Sequence, residues 1–292
     1  MAARRALLLP LVLSLISFSR GWAQVSVVDD IQRTIALRSP ASRIVSLAPS
    51  ITESLFAIGA GDRVVGVTDY CDFPAEARRK PRVGGMINPN IEAVAGLKPD
   101  LIVMSMEGNV RDDYRRLAGL GFPVFVTNPR TLEGIYRSLT QLGTLTGCAD
   151  SAVKVVDRLR ARERDLRATA GRGGVRTLLV VSLQPLIVAG RNTFIHELLE
   201  AAGGVNLAAY ARGNYPTYSR ETVIANNPDV ILITSDAISD VYRLPAMFPE
   251  WKIVSALRHK RVYRVDSNLV TRPGPRALDA LASLVHLLHE QR

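Results

Sequence analysis

One stretch of this chain is written twice. Asn90-Ile-Glu-Ala-Val-Ala-Gly-Leu-Lys-Pro-Asp-Leu-Ile-Val103 and Ser219-Arg-Glu-Thr-Val-Ile-Ala-Asn-Asn-Pro-Asp-Val-Ile-Leu232 align without a gap. Each copy opens on a residue whose side chain can cap a helix, and each then reaches a Pro-Asp pair and an apolar run. Proline ends a helix and holds its neighbour extended, so each copy reads as capped helix, turn and buried strand. At about 100 to 200 residues per domain, 292 residues leave room for two such lobes. A duplicated α/β lobe is the economical architecture.

The flanking sequence agrees. Short apolar runs bounded by Gly, Pro and Asp predict strands at 43–47, 64–67, 101–104 and 123–127, then at 177–182, 230–234 and 262–266. Helical patterns lie between them at 50–60, 90–97, 110–120 and 131–147, and at 193–202, 221–225 and 276–290. Strand alternating with helix implies mostly parallel sheets covered on both faces. Residues 150–170 lack Gly and Pro altogether, predicting a helix about 30 Å long, capped by Asp150 or Ser151 and ended by Gly171, Gly173 and Gly174. The expected division is an N-terminal lobe over 24–148, a joining helix over 149–172 and a C-terminal lobe over 173–292, with a ligand cleft between the lobes.

Residues 1–23 stand apart. Arg4 and Arg5 precede an apolar run over 6–18, followed by Gly21-Trp22-Ala23, the form of a cleaved secretory signal. The run is too short to cross a bilayer, which takes about 20 residues, and no later segment stays apolar long enough. No Cys follows the run to carry a lipid anchor, so a periplasmic location is expected, with no direct membrane insertion. Of 37 Lys and Arg against 27 Asp and Glu, loss of Arg4, Arg5 and Arg20 leaves a net charge of +7. That charge is dispersed: the densest basic stretch, 158–172, is interrupted by Glu163 and Asp165 and reads as a solvated helix face, not a nucleic-acid site. In an exported protein Cys71 and Cys148 allow one disulfide. Spacing leaves this open, beside free, buried or ligand-facing thiols.

Two lobes around a cleft also describe many enzymes, but the motifs of enzyme chemistry are missing. After Val45 the chain reads Ser-Leu-Ala-Pro-Ser-Ile-Thr-Glu, with no Gly-x-Gly-x-x-Gly to cradle a dinucleotide. Nor is there a Gly-Lys-Ser/Thr loop, a His-Glu-x-x-His or a Gly-x-Ser-x-Gly. Ser50-Ile-Thr-Glu53 has the form of a capping box. His196, His259, His286 and His289 fall on helices or in a basic turn and read as structural or exposed. A binding protein is expected, with no catalytic residues, no resident cofactor and no bound metal. Glu92 and Glu221 occupy equivalent places in the duplicated unit, inside a helix N-terminus. An acid there complements the helix dipole, or the two present a matched pair of anions to a two-fold partner.

Arg43-Ile-Val-Ser-Leu-Ala-Pro-Ser-Ile-Thr-Glu53, Val65-Gly-Val-Thr-Asp-Tyr-Cys-Asp-Phe-Pro74, the two Pro-Asp units and Thr271-Arg-Pro-Gly-Pro-Arg276 resemble a known family. It is that of the periplasmic binding proteins of cobalamin, haem and ferric-siderophore ABC importers, and within it the cobalamin binders. The resemblance covers the chain from about Val25 onward. It implies two lobes joined by one long rigid helix, a corrinoid as transported ligand and an ABC importer permease dimer as partner. Nothing points to self-association, so a monomer is expected. Glu92 and Glu221 fall where the family pairs one Glu per lobe with arginines of the permease. Tyr70 falls where cobalamin binders pack a Tyr on the corrin ring, and Tyr215 where they place a Trp on the opposite lobe. Arg272 matches a residue that hydrogen-bonds amide side arms, and Asn268 stands in place of an Asp. The N-lobe Trp residues of those proteins are absent, their places falling near Met86 and Ser105 or Met106. Haem would require an axial ligand, for which Tyr70 is the candidate. A ferric siderophore would draw on Arg272 and Arg276.

Overall fold

The computed structural model describes residues 25–171 and 174–289; the expected signal, residues 1–23, lies outside them. Two lobes each carry a central, mostly parallel sheet. The described residues open on an antiparallel ribbon, β1 (Val25–Val28) with β2 (Thr34–Leu37), which the hydrophobic pattern did not predict. There follow β3 (Ile44–Ser46), α1 (Pro49–Ala57), β4 (Val64–Val67), α2 (Ile91–Gly96), β5 (Leu101–Ser105), α3 (Arg111–Gly119), β6 (Val124–Thr127) and α4 (Leu132–Thr146). The strands pair in the order β4-β3-β5-β6, all parallel. Helix α5 (Ala149–Thr169) then leads into the second lobe.

That lobe contains β7 (Val175–Leu183), β8 (Leu186–Val188), α6 (Phe194–Ala201), β9 (Gly204–Asn206), α7 (Arg220–Asn226) and β10 (Val230–Thr234). Two single-turn helices, α8 (Leu244–Met247) and α9 (Ser255–Arg258), precede β11 (Val262–Val265), α10 (Ser267–Val270) and α11 (Ala277–His289). The order is β11-β10-β7-β8. The far edge of β7 is shared end to end by β9, parallel, and β8, antiparallel. Strands β8 and β9 are too short to carry a readable period, and they too escape sequence analysis.

The duplicated unit is physical. Asn90 Oδ1 accepts from the Ala93 N–H at 2.9 Å, and Ser219 Oγ from the Thr222 N–H at 3.1 Å, so the same cap starts α2 and α7. Both helices end on a left-handed residue, Lys98 and Asn227, before the Pro-Asp pair. The aspartate then secures the first strand of its lobe's central sheet: Asp100 accepts from the Arg43 N–H at 2.8 Å and Asp229 from the Arg176 N–H at 3.2 Å. The arginine side chains return the contact, Arg43 to the Leu97 carbonyl at 2.6 Å and Arg176 to that of Asn226. The Pro-Asp turns therefore splice each helix-strand unit onto its sheet.

Every central strand is buried on both faces. Leu101 and Val103 of β5 face one core while Ile102 and Met104 face another, and Leu179 and Val180 of β7 divide in the same way. One core is continuous from α1 and α4 through α5 to α6 and α11, so it belongs to both lobes. Helix α5 contributes Ala152, Val155, Val156 and Leu159 to it. It is also stitched to each side, by Arg160–Glu133 at 2.7 Å and Tyr136 Oη–Glu163 at 2.8 Å toward the N lobe, and by Arg162–Asp279 at 2.6 Å toward the C lobe.

The cap expected for the joining helix is corrected. The joining helix begins at Ala149, with Cys148 as N-cap, because α4 runs to Thr146 and is closed by Gly147 at φ 66°. Only two residues separate the helices, leaving Asp150 in the first turn and no side-chain cap. Cys71 and Cys148 do not pair: both are free thiols. Cys71 Sγ is enclosed in the N lobe against Thr52 Oγ1 and Thr68 Oγ1, at 3.1 and 3.2 Å, while Cys148 Sγ reaches the Thr146 carbonyl at 3.7 Å. Trp251 is fully buried in a one-turn 3₁₀ helix, stacked 4.3 Å from Phe248.

Replacing Tyr136 by Phe removes its bond to the charged Glu163, itself partly buried. Urea denaturation should show a loss of about 1.5 kcal/mol, and a loss indistinguishable from zero would mean that this α4–α5 contact does not contribute to stability.

Candidate functional site

The carboxyl ends of the strands in both sheets point into one space, the usual place for a site in parallel α/β sheets. Pro49 and Ser50 follow β3, Tyr70 follows β4, Ser105 closes β5 and Asn128 follows β6; from the other lobe Asp236 follows β10 and Asn268 follows β11. They line a cavity of about 350 Å³ between the lobes. Tyr70, Met86, Tyr215, Asn268 and Arg272, all expected from sequence, border it. Of the two alternatives that accompanied Met86, Ser105 lines the cavity, while Met106 is exposed and does not.

Each side chain has a local reason for its position. The loop bearing Tyr70 is held from its own lobe by Arg82 Nη1, which donates to the Thr68 and Cys71 carbonyls at 2.6 and 3.0 Å, and by Arg78 Nε to the Asp72 carbonyl at 2.8 Å. Asn109 places Met86: its Nδ2 donates to the Met86 carbonyl at 2.7 Å and to that of Leu47 at 2.9 Å, while its Oδ1 accepts from the Ser105 N–H at 2.7 Å. Gly108 makes room, since a Cβ there would collide with Met86 Cε. Asn128 is set by the β1–β2 ribbon, whose Asp30 Oδ2 accepts the Asn128 N–H.

Tyr215 arrives from the C lobe. Its ring is about half exposed, yet burial of the hydroxyl and the nearby Glu107 carboxylate push its pKa up to about 12, against the opposing effect of Arg130. The hydroxyl therefore stays protonated. Glu107 pairs with Arg130 at 3.1 Å on the N-lobe rim.

Arg272 borders the cavity with its guanidinium already engaged. Its Nη1 donates to Asp72 Oδ1 at 2.6 Å and to Glu53 Oε1 at 3.3 Å, and its Nη2 to the Tyr70 carbonyl at 3.4 Å. Glu53 is not the far end of a capping box, as Ser50-Ile-Thr-Glu53 suggested. Helix α1 starts at Pro49 with Ala48 as N-cap and no side-chain cap, which places Ser50 inside the helix. The Glu53 carboxylate is taken instead by Arg276, through Nε at 2.8 Å and Nη2 at 2.6 Å.

Glu107, Asn128 and Asp236 also line the cavity, and sequence reasoning did not select them. The available signal was position, one to three residues beyond a strand's carboxyl end. None of the four histidines lines it; His196, for example, lies on α6 against Asn206. Among the described residues no group of three His, Cys, Asp or Glu side chains is placed to hold a metal ion.

Glu92 and Glu221 are exposed at the second position of α2 and α7, one on each lobe. Among the described residues neither enters an ion pair. The Glu221 pKa is lowered by hydrogen bonds from its own backbone N–H and from Ser219.

The periplasmic binding protein family matches residues 44–269. This chain is a member of that family. The vitamin B12-binding protein of Vibrio cholerae is 33% identical to it over 244 residues, covering 83% of this chain and 87% of that protein. A solved structure of the V. cholerae periplasmic vitamin B12-binding protein superposes with a TM-score of 0.79 at 32% identity, over 87% of this chain and 99% of the other. An ABC transporter substrate-binding lipoprotein of Bacillus subtilis is 30% identical over 91% of this chain and 85% of its own length. The periplasmic haem-binding protein RhuT of Roseiflexus sp. RS-1 gives a TM-score of 0.77 at 26% identity, over 86% and 98%.

In this binding protein, burial raises the Asp72 pKa, but the hydrogen bond and charge of Arg272 outweigh it and hold the carboxyl below its ordinary value. The stabilisation is complete above the unfolded-state pKa and is lost as pH falls through the lowered folded-state one. Thermal melts should therefore find wild type more stable than Asp72→Asn at pH 7, with the gap closing in acid. An equal gap at both ends would contradict the assignment.

Proposed function

We propose that this chain is the periplasmic solute-binding component of an ABC importer and that its cargo is cobalamin or a related corrinoid. The observation that carries the reading is the chemistry of the cleft wall. Tyr70 and Tyr215 offer aromatic surface from opposite lobes and Met86 adds a polarizable thioether, a set suited to a broad, largely apolar ring. Around them stand Glu107, Asp236, Asn128, Asn268 and Ser50, and Arg272, the one lining arginine among the described residues, already faces two carboxylates. A wall rich in acceptors suits a ligand that presents amide N–H groups. It is poorly suited to the carboxylates of haem or the anionic shell of a ferric siderophore, which call for free cations.

Haem is the second reading, favoured by the place of Tyr70 on the wall and by likeness to a haem-binding relative. Tyr215 supports it less, because burial and the Glu107 carboxylate raise the cost of forming the phenolate that iron binds. The vitamin B12-binding relatives, at higher identity, favour the corrinoid.

Delivery falls to Glu92 and Glu221, which pair with arginines of a permease dimer, one glutamate per lobe. Solvent-facing ion pairs of this kind set register and encounter rate more than affinity. The chain carries its cargo without covalent chemistry, and a periplasmic monomer with a cleaved leader fits this role.

Calorimetric titration of residues 24–292 with cyanocobalamin tests the cargo. Saturable one-to-one binding at micromolar affinity or better is expected, and Tyr215→Ala should weaken it by about 1 to 3 kcal/mol. No binding by folded protein, with haem binding in its place, would overturn the corrinoid reading. Exchanging both Glu92 and Glu221 for Lys should abolish uptake while leaving cargo affinity unchanged; normal uptake would remove the two glutamates from the docking surface.

A further inference from the structure

Glu53 is an N-lobe carboxylate with 2% of its side chain exposed, and both of its partners come from the other lobe. Arg276 and Arg272 lie in the segment between α10 and α11, and together they give Glu53 three hydrogen bonds of 2.6 to 3.3 Å. A buried charge is costly unless paired and fully hydrogen-bonded. Here two N-lobe acids, Glu53 and Asp72, meet two C-lobe bases, and the set is neutral. The same arginines grip the tip of the Tyr70 loop, Arg272 through the Tyr70 carbonyl and the Asp72 carboxylate, and Arg276 by lying 4.2 Å over the Phe73 ring. Arg78 and Arg82 hold the loop's backbone from within its own lobe, so the loop does not need the second lobe to fold. What the cross-lobe bonds determine is where Tyr70 sits relative to Asn268 and Arg272 on the facing wall.

We propose that Glu53 is a positioning residue of the cargo site: it aims Arg272 and, through Arg272 and Asp72, holds the Tyr70 loop against the opposite lobe. Glu53 touches no ligand in this scheme. The proposal rests on the reading that the inter-lobe cleft is the cargo site, and extends it to a residue beneath the wall.

Hydrogen exchange followed by mass spectrometry on the ligand-free protein, with cyanocobalamin affinity measured alongside, tests it in Glu53→Gln, Asp72→Asn and, as a destabilised control remote from the cleft, Tyr136→Phe. In Glu53→Gln, residues 69–74 and 267–276 should exchange about tenfold faster while the central strands keep their protection, and affinity should fall about tenfold, or 1.4 kcal/mol. Asp72→Asn should show a smaller change of the same kind, and the Tyr136→Phe control should keep wild-type affinity. Unchanged exchange in both segments overturns the proposal, as does a loosened loop that still binds with wild-type affinity. If Glu53→Gln does not fold, Asp72→Asn decides by the same criteria. If wild type fails to bind cyanocobalamin, the cargo reading fails separately: exchange still judges the clamp, and the affinity comparison is made with haem.

Discussion

The two lobes share a hydrophobic core, and the rest of the molecule is arranged around that fact. Helices α1 and α4 of the first lobe and α6 and α11 of the second contribute to one cluster, with α5 between them. Burying Val155, Val156 and Leu159 contributes about 1.5 to 3 kcal/mol each, and separating the lobes along α5 would expose apolar surface on both. A hinge of extended strands has no comparable resistance. The lobes are tied along α5, and the cleft lies between walls that this shared core holds together.

Rigidity at the core transfers the problem of recognition to the loops. Parallel strands deliver their carboxyl ends to the cleft from both sides, so each wall is a set of short segments whose positions the sheets determine and whose residues are free to vary. The support is local and polar: Asn109 under Met86, Asp30 behind Asn128, Arg82 and Arg78 beneath Tyr70. The ribbon of β1 and β2 looks peripheral in the fold, yet it carries the carboxylate that fixes one of these segments. The cross-lobe cluster around Glu53 closes the arrangement at a second place, distinct from α5.

Much of this was legible in the sequence because it rests on repeating local signals. The duplicated capped helix, Pro-Asp turn and strand announced two similar lobes, and the Gly- and Pro-free stretch announced the helix between them. What escaped is too short to carry a period or depends on contacts distant in the chain. Strands β8 and β9 have three residues each and owe their existence to the edge of β7. Ser50-Ile-Thr-Glu53 has a good local explanation as a capping box, and the actual partners of Glu53 lie more than two hundred residues away. Cys71 and Cys148 were undecidable by spacing, and each sulfur meets oxygen partners of its own. Tyr70, Met86, Tyr215, Asn268 and Arg272 were reached by resemblance. Glu107 and Asp236 were reachable only by knowing which way the strands run.

Capture and release place opposite demands on such a molecule. A cleft held open by a shared core would bind without the cost of closing two bodies, but the same preorganisation would oppose letting go. If a partner pairs with Glu92 and Glu221 as proposed, it bears on both lobes at once, and the cross-lobe connection that costs least to part is the one that would loosen first. The apolar core along α5 is the stronger tie, since parting it exposes surface on both sides. The Glu53 cluster is the better candidate to yield, because its charges regain hydration as they separate, and because it holds the Tyr70 loop. Parting the Glu53 cluster alone would open the wall of the site and leave the shared core intact.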